Sequence, residues 1–130
     1  MSVQRTFSGA PWEGQVGYCR AVRVDGRIFV SGCAPVDAQG QVVFHGNGEA
    51  QAARCLEIIL AAVADLGSSK SSIVRPRMFV TDISRWADYG RAHSAVFDEY
   101  PPATSMVQVQ ALIDPDMLIE IEADAILQAT

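Results

Sequence analysis

The chain has 130 residues, 49% hydrophobic and 19% charged, with 10 basic against 15 acidic residues and a formal net charge of −5. That length fits one domain, residues 1–130, and the hydrophobic fraction excludes wholesale disorder. The acidic balance argues against a general nucleic-acid binder, whose affinity needs basic surface to neutralise phosphates.

The first strand signals are Cys19 to Val24 and Arg27 to Ser31, both rich in β-branched or aromatic residues. Asp25-Gly26 between them is a two-residue hairpin signal, because glycine tolerates positive φ. Gly32 to Gly40 reads as a loop with turn residues Pro35, Asp37 and Gly40, and Gln41 to Phe44 as a short strand. A helix follows. Ala52, Cys55, Leu56, Ile59, Leu60, Val63 and Leu66 recur on one helical face. Asn47 is its expected N-cap, Glu49 suits the positive end of its dipole, and Gly67 is its expected stop. Ile73 to Thr81 reads as a strand, with Pro76 implying an edge position or a bulge. A second helix starts near Ser84 and ends before Pro101-Pro102. Its apolar side is Trp86, Tyr89, His93, Val96, Phe97 and Tyr100. Thr104 to Leu112 and Leu118 to Leu127 are two more strands, joined by a turn at Asp114-Pro115-Asp116.

The predicted order is β-β-(β)-α-β-α-β-β, an α+β fold with one sheet and two helices on one face. Ile28-Phe29-Val30 and Met78-Phe79-Val80 are apolar at consecutive positions, as in strands buried on both faces. No third helix is available, so a second subunit is expected to cover the other face.

Cys19, Cys33 and Cys55 are odd in number and lack the paired spacing of a zinc site, so free thiols are expected. His45 and His93 share no short motif, and no metal or cofactor site is predicted. Residues 1–14 have no apolar core of signal-peptide length, and no run is long enough to span a bilayer. A cytoplasmic protein with no membrane contact is expected.

Strict alternation along Ile119 to Ala125 puts Glu120, Glu122 and Asp124 on one face. Such a face is either solvated or lines a cleft with an acid–base carboxylate. Gly32-Cys33-Ala34-Pro35 follows a strand end, where backbone groups are free to face a ligand. Cys33 itself reads as a small buried hydrophobe. Nine of the ten basic residues are Arg, the better side chain for gripping carboxylates. Arg20, Arg23, Arg75 and Arg77 read as surface or interface ion-pair residues facing the acidic last strand. Trp86, Tyr89 and His93 read as core and interface filler.

Gly17 to Val24, Ile28 to Gly32 with Pro35, Val80-Thr81-Asp82, Pro102 to Ser105 with Val107 and Val109, and Ile119 to Ala123 occur in this order along nearly the whole chain. Together they resemble the RidA/YjgF family. The resemblance implies a chorismate-mutase-like fold, a homotrimer with a central barrel, and ligand clefts between subunits. It also implies hydrolysis of reactive 2-imino acids, or their enamine tautomers, to 2-keto acids and ammonia, without metal or organic cofactor. Carried across by motif, the cleft residues are Tyr18, Ser31, Gly32, Thr104 and Glu120, with Cys33 and Ser105 beside them.

One position departs from the family pattern. Its carboxylate-binding Arg is Thr104 here, which offers one hydroxyl and no charge. A substrate that is neutral or weakly anionic is therefore expected, with water oriented by Glu120 and a backbone carbonyl of the Gly32 loop. A non-catalytic metabolite-binding trimer is the alternative. An endoribonuclease is the third reading, opposed by the net negative charge.

Overall fold

The structure is a computed structural model and describes residues 1–128. Six strands form one mixed sheet: β1 (Val3–Thr6), β2 (Ala21–Val24), β3 (Arg27–Cys33), β4 (Ile73–Val80), β5 (Ser105–Gln108) and β6 (Ile119–Ile126). Three helices accompany them: α1 (Pro11–Val16), α2 (Gly48–Asp65) and α3 (Trp86–Phe97). The strand order is β1-β2-β3-β6-β4-β5, antiparallel except for the β4–β5 pair.

The hairpin forms where expected, with Val24 opposite Arg27. Its left-handed backbone falls on Asp25 (φ 52°), not on Gly26. Asp tolerates that region because its short side chain bonds locally; here Asp25 Oδ1 accepts the Ser2 N–H at 2.9 Å. That bond ties in β1, an edge strand whose four residues include one large aliphatic, too weak a pattern to read from sequence.

Helix α2 matches its periodicity and caps. Asn47 accepts the Ala50 N–H, and Gly67 takes up the left-handed backbone (φ 90°) that ends the helix. Ala52, Cys55, Leu56, Ile59 and Val63 are buried against β3 and β6. Each large aliphatic among them contributes about 1.5–3 kcal/mol on burial. Helix α3 packs on α2. Tyr89 and Phe97 are in the core, but Trp86, the first residue of the helix, and Tyr100, three residues past its end, are exposed.

Several expectations change. Gln41–Phe44 is not a strand; a single Val36–Val42 bridge is all that pairs there. The fifth strand is four residues long, not nine. Pro76 sits in a strand flanked on both sides, and a bulge between Ile73 and Arg75 accommodates it. The Pro76 carbonyl accepts the Thr104 hydroxyl at 2.8 Å. The helix-free face of the sheet is not closed within the chain: Phe29 is 44% exposed and Val107 46%. Arg77 lies on this face between Asp124 (3.2 Å) and Glu122 (3.9 Å), as the sequence suggested.

Gln51, fully buried on α2, carried no sequence signal. Its Nε2 donates to the Val43 and Asp116 carbonyls, and its Oε1 accepts the Leu118 N–H. It thereby substitutes for strand pairing in the irregular 41–44 segment. Gln51→Leu leaves three backbone groups unpaired, each costing about 1–3 kcal/mol. Urea unfolding is expected to show a loss of roughly 3 kcal/mol or more.

Candidate active site

A bulge places the site. Val30 pairs with Ala123, but Cys33 pairs with Ile121, so β3 carries one extra residue between them. The extra residue turns the Ser31-Gly32 backbone out of the regular ladder at the sheet end where β6 begins. Gly32 lets the Glu120 carboxylate lie against the backbone there: a Cβ on it would stand 2.9 Å from that carboxylate and displace it.

Arg20 holds the bulge. It is 6% exposed, and its Nη1 donates to the Gly32 carbonyl at 2.6 Å and, more weakly, to the Ser31 carbonyl at 3.4 Å. Its Nε and Nη2 contact Glu13 Oε2 at 3.2 and 3.1 Å, and its guanidinium lies 5.6 Å from the Tyr18 ring centroid. Glu13 comes from α1 and also accepts the Ser8 N–H. Arg20 is therefore not the surface ion-pair residue expected; it is buried, and its carboxylate partner lies seven residues upstream. Arg23 likewise turns away from β6, donating to the Leu66 carbonyl at the end of α2.

Around this clamp lies a cleft of about 340 Å³. Its charged lining is Glu120, Arg20, Arg54 and Asp37; Trp12, Val16, Ile58 and Ile113 form much of its apolar wall. Burial pushes the Glu120 carboxyl above its ordinary value, and Glu122 adds to the rise while Arg20 opposes it. Burial also works to raise Glu13, but hydrogen bonds from Ser8 and the Arg20 charge outweigh it and hold this carboxyl low. Cys33 is buried and pushed up to about 11 chiefly by desolvation, so its thiol stays protonated and unreactive near neutrality. The three cysteines are free thiols.

Of the residues singled out from sequence, Tyr18, Gly32, Cys33 and Glu120 meet in this cleft. Ser31 lies behind it, its hydroxyl donating to the Cys19 carbonyl. Thr104 and Ser105 stand on the far side of β4, at the outer strand β5, and do not line the cleft within the chain. Trp86, Tyr89 and His93 do not line it either. Sequence reasoning missed Trp12, Glu13 and Arg54. Pro11 as the first residue of a short helix was the available signal for the first two; Arg54 falls on the polar side of a periodic helix and gave none. Among the described residues no three His, Cys, Asp or Glu side chains converge as metal ligands would, and no helix is long and apolar enough to cross a membrane.

The family model described as Endoribonuclease L-PSP matches residues 10–127. The crystal structure of Rv2704 from Mycobacterium tuberculosis, a member of the YjgF/YER057c/UK114 family, superposes with a TM-score of 0.87 at 39% identity, covering 97% of this chain and 100% of that one. The chain belongs to the RidA/YjgF family. Among curated relatives, the 3-aminoacrylate deaminase RutC of Acinetobacter baylyi is 35% identical over 111 residues, 83% of this chain and 85% of that protein. E. coli TdcF, solved with bound serine, has a TM-score of 0.78 at 31% identity, covering 85% and 88% of the two chains. RidA/YjgF members are thus the proteins in which this fold recurs.

Breaking the clamp tests its weight in this RidA/YjgF chain. Removing one partner of a buried pair leaves an uncompensated charge, at a cost of about 3–5 kcal/mol. Glu13→Gln is expected to lose about 3 kcal/mol in denaturant unfolding at pH 7. Because the folded-state value of Glu13 is depressed, its stabilisation is present above the ordinary 4.5 and fades as pH falls through the lower folded value. Wild type should lose that increment on acidification below 4.5, and Glu13→Gln should lack that part of the pH dependence.

Proposed function

We propose that this chain is a cofactor-independent hydrolase of an imine, enamine or related small carbonyl compound, with Glu120 as its catalytic base. The observation that carries this reading is a desolvated carboxylate, raised above its ordinary value, in the wall of a mostly apolar cleft. The relative RutC, named a 3-aminoacrylate deaminase, supports the reaction class.

The chemistry needs one proton shuttle. Glu120 takes a proton from water as the water oxygen bonds to the imine carbon and passes it to the nitrogen, giving a carbinolamine. It then takes the hydroxyl proton and delivers it to the amine as the C–N bond breaks and C=O forms, so that a carbonyl compound and ammonia leave and Glu120 is regenerated. An enamine enters the same route as its imine tautomer. A raised value brings Glu120 closer to neutrality, where proton transfer in both directions is efficient. The Gly32 carbonyl, which accepts from Arg20 at the cleft, aligns the water, and the Tyr18 ring positions the substrate.

We propose also that three copies assemble through the open sheet face that carries Phe29 and Val107. Assembly would seat Thr104 and Ser105 of one subunit at the cleft of the next. Three free thiols fit a reducing cytoplasm.

Glu120→Gln is expected to lower ammonia release from imines generated in situ by about 10²-fold or more. Wild-type rate should fall on acidification with a midpoint above 4.5, as Glu120 becomes protonated. Release no faster than buffer from wild type would leave the binding-only reading. Light scattering should give three times the 14.0 kDa chain mass, and Phe29→Asp should shift it toward monomer; a wild-type monomer would remove the assembly.

A further inference from the structure

Helices α2 and α3 dock through apolar side chains, but α1 does not. Among the described residues of this helix, only Glu13 is buried. Val16 is 72% exposed. A helix of six residues is too short to be stable alone, and burial of apolar surface does not anchor this one. What holds α1 down is a single carboxylate: Glu13 Oε2 meets Arg20 Nη2 at 3.1 Å and Nε at 3.2 Å. The Pro11 ring adds a rest against the Gly40 turn.

The two halves of that ion pair are attached differently. Arg20 belongs to the sheet. Its N–H donates to the Thr6 carbonyl, its carbonyl accepts the Ser31 N–H, and its Nη1 is bonded to the Gly32 carbonyl. Glu13 has no comparable tie. Its backbone bonds run to Ala10, Gly17 and Tyr18, and its other side-chain partner is Ser8, all in one short stretch of chain. Both ends of that stretch carry glycines with left-handed backbone, Gly9 at φ 83° and Gly17 at φ 90°. No other part of the protein lies within 4 Å of where a Cβ would stand on either. These positions therefore use glycine's backbone freedom, not its small size. Residues of that kind absorb the dihedral changes of a hinge.

Between the two glycines, Trp12 and Val16 form part of the apolar wall of the cleft that holds Glu120. Swinging α1 outward removes that wall and lets water reach both Glu13 and Arg20, so neither ion is stranded in a dry site. Swinging it back expels water from around Glu120.

We propose that residues 9–17 are a lid on the cleft, hinged at Gly9 and Gly17 and latched by the Glu13–Arg20 pair. The lid governs access to the cleft; it goes beyond the hydrolase reading and is tested without turnover.

Native-state hydrogen exchange reads the lid directly. The Gly17 and Tyr18 N–H groups, both donating to the Glu13 carbonyl, report α1, and the β6 amides report the sheet. Local opening exposes little surface, so exchange at Gly17 and Tyr18 should stay flat in low urea while β6 exchange accelerates. Glu13→Gln removes the charge from the latch and should speed Gly17 and Tyr18 exchange at least about tenfold, still flat in urea. Cys33, fully buried in the cleft lining, reports access. Its alkylation by iodoacetamide, read by peptide mass spectrometry, should rise in step, while Cys55 in the core follows β6. Exchange of Gly17 and Tyr18 in parallel with β6 overturns the proposal, as does an unchanged rate in Glu13→Gln. Faster α1 exchange with Cys33 alkylation unchanged also overturns it, since α1 then moves without uncovering the cleft. If Glu13→Gln does not fold, Ser8→Ala, which removes the hydroxyl that donates to Glu13 Oε2, should speed the same amides about threefold or more; no change there overturns the latch. Imine hydrolysis absent from a protein whose lid opens as described would remove the hydrolase reading and leave the lid. Hydrolysis by a protein whose α1 opens only with β6 would do the reverse.

Discussion

A guanidinium taken out of water must be neutralised and hydrogen-bonded, and Arg20 imposes that demand at the end of the sheet. An unpaired ion there costs several kcal/mol, so the surrounding chain is organised to satisfy it. Helix α1 delivers Glu13, and Ser8 steadies that carboxylate. The bulge in β3 turns the Ser31 and Gly32 carbonyls toward it. Three separate segments are thereby fixed by one side chain, and they are the walls around Glu120. The cleft exists because the bulge exists, and Arg20 holds the bulge.

The same sheet end shows how one strand serves two masters. Along β6, Ile119, Ile121, Ala123 and Ala125 are buried against α2, while Glu120, Glu122 and Asp124 point the other way. Alternation puts a carboxylate one residue from the core on a rigid element, which holds it better than a loop could. Arg77 draws Asp124 and Glu122 into ion pairs on the open face. Glu120 has no such partner on β4, since Phe79 stands opposite it. It is left desolvated beside Gly32, and its proton affinity rises for that reason.

Electrostatic roles in the cleft are therefore divided by burial. The fully buried pair, Glu13 and Arg20, supplies shape. Glu120, half-buried, retains unsatisfied capacity that a ligand can meet. Cys33, adjacent to both, is kept neutral by the same desolvation, and it fills space.

Much of the fold was legible in the residues themselves. The period of 3.6 between Ala52 and Val63, with Asn47 and Gly67 at its ends, specified α2; the period of two from Ile119 to Ala125 specified β6 and the face on which Glu120 lies. These are local signals, written by each element's own geometry. The motif order likewise pointed to the RidA/YjgF family, which the matched residues 10–127 bear out. What tertiary structure alone decided were the long-range partners. Arg20, Arg23 and Arg77 look alike in sequence, yet one is buried on Glu13, one caps α2 and one crosses to β6. Gln51 and Arg54 sit three residues apart on one helix; one sews loops to the core and the other opens on the cleft. Periodicity states which face of an element is apolar, but a polar side chain's role depends on which distant backbone or charge the packing brings within about 3 Å of it, and no local pattern encodes that.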